Sequence, residues 1–138
     1  MTHVLIVDDS HMIRRLLRYM LEKDGYIIYA ETSSGDDALA LLRASPHRLI
    51  VTTDHAHVGL SGDKLLRYVA QDPILSTRHV YLLISANDDV GRNSEALRQL
   101  DSTYIEKPFK PAVIVEEMER MARRLEAPSR STSIAPPL

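Results

Sequence analysis

The sequence predicts an α/β domain built on a parallel sheet with helices on both faces, and three observations carry that prediction. Short apolar and β-branched runs alternate with amphipathic helical patterns along the whole chain, and strands separated by helices pair in parallel through right-handed crossovers. Val4-Leu5-Ile6-Val7 is uninterrupted rather than alternating, as a strand covered on both faces is. The polar residues that break these runs stand at strand ends, where Asp8, Asp9, Asp54, Ser85 and Lys107 fall, and the carboxyl ends of such strands form the ligand site of an open α/β sheet.

Length and composition set the frame. A chain of 138 residues is the size of one ordinary domain. At 44% hydrophobic residues with no bilayer-length apolar run, it is expected to form a core and not a membrane span. The opening residues lack the basic flank and cleavage site of a signal peptide, so a cytoplasmic location is expected. The absence of cysteine excludes disulfides, thiolate chemistry and Cys-type zinc sites. A net charge of −2 argues against nucleic acid as a direct partner.

Taken in order, the first strand ends at Asp8-Asp9 and Ser10 caps the first helix. Ile13, Leu16, Leu17, Met20 and Leu21 recur at one-face spacing, while Arg14, Arg15, Arg18 and Glu22 read as the solvated face. Gly25 stops that helix in a left-handed conformation. Tyr26 to Glu31 is the second strand, and the Ser33-Ser34-Gly35-Asp36-Asp37 run caps a second helix burying Ala38, Leu41 and Leu42, closed by Pro46. Leu49 to Thr53 is too short and too β-branched for a core helix; it reads as a buried strand delivering Asp54 to a turn-rich loop. Ser61 opens a third helix packed through Leu65, Leu66 and Val69 and stopped before Pro73. Val80 to Ile84 is the fourth strand, ending in Ser85, and a helix weakened by Gly91, Asn93 and Ser94 follows over residues 90–100. Thr103 to Glu106 is a short fifth strand running into Lys107-Pro108-Phe109. The last helix begins near Pro111 and buries Ile114, Met118, Met121, Ala122 and Leu125, with Glu116 and Arg120, and Glu119 and Arg123, spaced for ion pairs. Pro128, a Ser and Thr cluster and Pro136-Pro137 predict a disordered tail over 127–138, which leaves 1–126 as the domain.

A single Asp at a strand end is ordinarily a cap or a solvated turn residue. Here polar side chains from separate stretches converge on one sheet edge, and converging carboxylates raise one another's pKa unless something neutralises them. An oxygen-only ligand set suits Mg²⁺, which takes one or two carboxylates, keeps several waters and admits a phosphate oxygen. Three aspartates, a divalent cation and Lys107 sum to zero formal charge, and a neutralised pocket holding an Asp nucleophile is a phosphoryl acceptor.

Val7-Asp8-Asp9-Ser10, Asp54 followed by Gly62, Leu83-Ile84-Ser85-Ala86 and Tyr104-Ile105-Glu106-Lys107-Pro108-Phe109 together resemble the receiver domain of two-component response regulators, in its stand-alone form, over most of the chain. The resemblance implies a flavodoxin-like (βα)5 fold, a doubly wound parallel five-stranded sheet of strand order 2-1-3-4-5. It implies that Asp54 takes a phosphoryl group from a sensor histidine kinase or phosphotransfer protein. Asp9, Asp54 and the backbone carbonyl of Ala56 would hold Mg²⁺, with Asp8 acting largely through bound water. Ser85 and Lys107 would contact phosphoryl oxygens, Ser85 and Tyr104 would form a switch pair, and the Lys107–Pro108 bond would be cis, which proline permits. Such a domain is no enzyme beyond Mg-dependent self-phosphorylation and autodephosphorylation. It would act in trans on a downstream protein, through the face made by the 90–100 helix, the fifth strand and the last helix, or as a phosphorelay intermediate. No nucleic acid or membrane partner is implied, and it would be a monomer or a phosphorylation-dependent dimer.

Val58 stands where the family commonly has proline and Leu100 where it has a helix-ending glycine. His55 and His57 flank the acceptor loop without a third metal ligand and read as surface residues. Other classes fit less well. A flavin carrier needs a Ser, Thr or Gly phosphate loop after the first strand, where Asp8-Asp9 repels phosphate. A dinucleotide enzyme needs a glycine-rich fingerprint that is absent here. The remaining rival is a receiver-like interaction module that works independently of phosphorylation.

Overall fold

The computed structural model describes residues 1–54, 62–85 and 98–126. In chain order the elements are β1 (His3–Val7), α1 (His11–Lys23), β2 (Ile27–Thr32), α2 (Gly35–Ala44), β3 (Leu49–Thr53), α3 (Gly62–Gln71), α4 (Leu75–Arg78), β4 (Val80–Ser85), β5 (Ser102–Glu106) and α5 (Pro111–Glu126). The strands form one parallel sheet of order β2-β1-β3-β4-β5, the flavodoxin-like arrangement expected. The winding reverses between β1 and β3, so the crevice at the carboxyl end of the sheet opens beside Asp8 and Asp54.

Side-chain alternation divides the interior in two, because successive residues of a strand point to opposite faces. Leu5, Val7, Val51, Tyr81 and Leu83 face α2 and α3 and pack on Ala38, Leu42, Leu65, Leu66 and Val69. Val4, Ile6, Ile50, Leu82 and Ile84 face α1 and α5 and pack on Leu17, Leu21, Ile114, Met118, Met121 and Leu125. Burial on both faces is why β1, β3 and β4 read as continuous apolar runs. No helix among the described residues is long and apolar enough to cross a membrane.

Local signals held where they were strong. The Ser10 and Ser34 hydroxyls accept from the Ile13 and Asp37 N–H groups as caps, and Gly25 ends α1 at φ 94°. Leu16 departs from the reading: it is 42% exposed, because α1 packs through Leu17 and Leu21 and a neighbouring position lies about 100° round the helix. The strand edges shift by a residue, β2 to Ile27–Thr32 and β5 to Ser102–Glu106. Arg120 pairs with Glu117 rather than with the more distant Glu116. The short α4 was not anticipated; Asp72 starts it by accepting from the Ile74 and Leu75 N–H groups at 2.9 and 3.0 Å. Leu100, at the glycine position, is buried in the α2–α3 core.

The amino-terminal edge of the sheet is closed by polar contacts to which the sequence assigned no role. His79 accepts from the Leu49 N–H through Nδ1 at 2.9 Å, the buried Tyr81 hydroxyl donates to the Leu75 carbonyl, and Arg48 donates to the carbonyls of Arg78 and Leu125. His55, Ala56, His57, Val58, Ser61, most of the predicted 90–100 helix and the predicted tail over 127–138 lie outside the described residues.

Candidate functional site

The backbone ladder runs past the strand ends and sets the site residues side by side. The Asp8 N–H donates to the Thr32 carbonyl, the Asp54 N–H to the Val7 carbonyl and the Lys107 N–H to the Ser85 carbonyl. Residues distant in sequence thereby reach one edge, since each is the first residue after a strand of the same parallel sheet.

The side chains close on one another there. Carboxylate oxygens of Asp8, Asp9 and Asp54 all lie within 4.8 Å of one another. The Lys107 ammonium donates to Asp54 Oδ2 at 3.1 Å and to Asp8 Oδ2 at 3.4 Å. The Ser10 N–H donates to Asp8 Oδ1 at 2.8 Å. Asp8 is 2% exposed, Asp54 is partly buried and Asp9 lies at the rim, so the cluster is a cup open on one side. Ser85 is buried at the end of β4, and its carbonyl also accepts from the Tyr104 hydroxyl at 3.3 Å. The Lys107–Pro108 peptide is cis, as expected. Asp8, Asp9, Asp54, Ser85, Tyr104 and Lys107 are thus gathered at one end of the sheet, while the Ala56 carbonyl falls outside the described residues.

The charges do not cancel. Burial pushes the Asp8 carboxyl above its ordinary range, the Ser10 N–H and Lys107 oppose that, and Asp54 adds to it. Burial also works to lower the Lys107 ammonium, but the bonds and charges of Asp54 and Asp8 outweigh it and hold the group above the ordinary lysine range. Three carboxylates facing one ammonium leave two formal negative charges in the cup. The donors are all hard oxygens, and their mutual spacing suits one small divalent cation, so the residues fit Mg²⁺.

One functional candidate was misread. Arg14, assigned to the solvated face of α1, donates through Nη1 to the Asp8 carbonyl at 2.7 Å and through Nε to Glu31 at 3.2 Å. The available signal was its place one turn inside a capped helix, from which a side chain leans back over the preceding loop.

Comparison with known proteins agrees with this fold. Residues 4–119 match the family model described as response regulator receiver domain. The chain is 32% identical to the chemotaxis protein CheY of Pseudomonas aeruginosa, over 88% of this chain and 97% of that one. It is 30% identical to the transcriptional regulatory protein FixJ of Rhizobium meliloti, over 90% of this chain but only 58% of FixJ. Among solved structures, a response regulator described as putative from Chloroflexus aurantiacus superposes with a TM-score of 0.71 at 27% identity, covering 87% of this chain and 96% of that one. The Thermotoga maritima response regulator TrrA, solved with Mg²⁺ and BeF, superposes with a TM-score of 0.75 at 23% identity, covering 88% and 99%, and shares the fold.

Proposed function

The chain belongs to the response regulator receiver domain family of two-component signalling, and from that membership we propose that Asp54 accepts a phosphoryl group from the phosphohistidine of a sensor histidine kinase or phosphotransfer protein. The observation that carries this reading is the single ammonium of Lys107 bonded to both Asp54 and Asp8 within a cluster of three carboxylates. A structural ion pair has no need of two further acids, whereas a phosphoryl acceptor needs both a cation seat and a fixed positive charge.

Asp9 and Asp54 would hold Mg²⁺ together with the Ala56 carbonyl, and Asp8 would act largely through bound water. Bound there, the ion supplies charge neutralisation for the phosphoryl oxygens. In the transfer, a carboxylate oxygen of Asp54 forms the new O–P bond while the donor P–N bond breaks and its electron pair stays on the imidazole nitrogen. Lys107, already at hydrogen-bond distance from Asp54, follows the incoming charge with a donor that costs little reorganisation. Ser85 offers its hydroxyl from the end of β4. Its displacement toward the phosphoryl group would disturb the Tyr104 hydroxyl bonded to its carbonyl, and so carry the change to the surface of β5 and α5.

In this reading the protein acts in the cytoplasm and in trans, as a partner-binding or relay component without direct nucleic acid contact. The in-trans part of this reading rests on the likeness to a relative named a chemotaxis protein. Intact-mass measurement after exposure to a small phosphodonor and Mg²⁺ tests the acceptor: one phosphoryl mass is expected on the wild type and none on Asp54→Asn. Labelling of Asp54→Asn at undiminished yield would refute the assignment, and no labelling of either protein would favour the phosphorylation-independent module.

A further inference from the structure

The carboxylate of Asp8 is held by Ser10 and Lys107, and its main-chain N–H by Thr32. Its carbonyl is held by a residue from outside the cup. Arg14 Nη1 donates to it at 2.7 Å, while Nε of the same guanidinium bonds Glu31 Oε1 at 3.2 Å. Glu31 is itself fixed from the other side, where Arg18 Nη1 reaches Oε2 at 2.7 Å. The Arg14 side chain is 16% exposed, so its own two bonds are partly shielded from water. The first turn of α1 is pinned as well, with the Arg14 N–H on the Ser10 carbonyl. A planar fork that spans a backbone carbonyl and a carboxylate fixes the distance between them, which a lysine cannot do.

We propose that Arg14 is a positioning residue for the cation site: by tying the Asp8 main chain to Glu31 on β2, it keeps the Asp8 and Asp9 carboxylates at the spacing that a divalent ion requires. This rests on the reading of the cup as a Mg²⁺ site. It goes beyond that reading in giving a role to a residue that touches neither ion nor phosphoryl group. Outer partners of metal ligands act in this way, by restricting the orientations available to the ligand.

The sign of the effect separates positioning from charge. A guanidinium near the cup repels a cation, so if Arg14 acted by its charge alone, its removal would tighten Mg²⁺ binding. Positioning predicts the reverse.

The test is calorimetric titration of the full chain with MgCl₂, with urea unfolding of each metal-free variant in parallel. Arg14→Gln is expected to weaken Mg²⁺ binding about tenfold. Arg15→Gln removes the same charge from the exposed face of α1 and is expected to bind as the wild type does or slightly tighter. Arg14→Lys keeps the charge but cannot span both acceptors and is expected to fall between wild type and Arg14→Gln; should Arg14→Gln fail to fold, this variant decides. Wild-type or tighter affinity in the folded Arg14 variants would overturn the inference. A wild type with no saturable Mg²⁺ binding would overturn the metal reading, and the inference with it.

Discussion

His79 offers the sharpest test of the packing, because its energetics follow from one buried ring. It is 1% exposed, Nδ1 accepts from the Leu49 N–H at 2.9 Å, and Nε2 has no hydrogen-bond partner. The Leu42 carbonyl works in the opposite direction, favouring the protonated ring, but falls short of hydrogen-bond geometry. Burial above all, with the Arg78 and Arg48 charges adding to it, pushes its pKa down from 6.5 to about 4. A folded-state pKa below the unfolded value means that stability is whole above pH 6.5 and falls as the pH drops toward 4. The full shift corresponds to about 3 kcal/mol, and about 2 kcal/mol of it is lost between pH 7 and pH 5. Urea unfolding of the wild type at the two pH values should register that loss. His79→Asn, whose Oδ1 can stand in for the accepting nitrogen but does not titrate, should lose about 2 kcal/mol less over the same interval. Equal losses in the two proteins would refute the reasoning, as would an NMR titration of the His79 ring with a midpoint near the ordinary 6.5.

Further consequences can be checked on the same footing. Lys107→Met removes the ammonium bonded to Asp8 and Asp54 and should destabilise the metal-free protein by about 2 kcal/mol at pH 7, with the deficit shrinking in acid as Asp8 takes up its proton; an unchanged urea midpoint at pH 7 would contradict this. Thr52 lies in register with Ile6 and Leu82, and its buried hydroxyl has no partner, so Thr52→Val should stabilise by about 1 kcal/mol, and a lowered midpoint would be the opposing result. Tyr81→Phe leaves the Leu75 carbonyl without its donor and should cost about 1 kcal/mol in the same assay.

Much of the fold was legible because its signals are local. Apolar runs bounded by polar ends, serine caps and a glycine with positive φ depend on a few neighbouring residues, and β1, α1, α2, β3 and β4 fell close to where the periodicity placed them. The acidic cup was legible for a related reason. A parallel sheet carries every residue that follows a strand to the same edge, so reading the strands in order amounted to reading the site, and Asp8, Asp54 and Lys107 converge there.

The sequence by itself therefore determined the alternation of elements, the sheet that they imply and the edge at which the chemistry-bearing residues collect. Only the tertiary structure decided what each amphiphilic side chain does. Leu16 and Leu17 are equally apolar, yet the docking angle of α1 buries one and exposes the other. Arg14 and Arg15 are adjacent and chemically identical, yet only Arg14 meets the Asp8 carbonyl and Glu31. His79 and Thr52 lie in the interior, one bonded to a strand N–H and the other to nothing. Periodicity records which way a residue points along its own element. Hydrogen bonds and charge pairs are set by what a distant segment brings to it, and that is known only once the chain has packed.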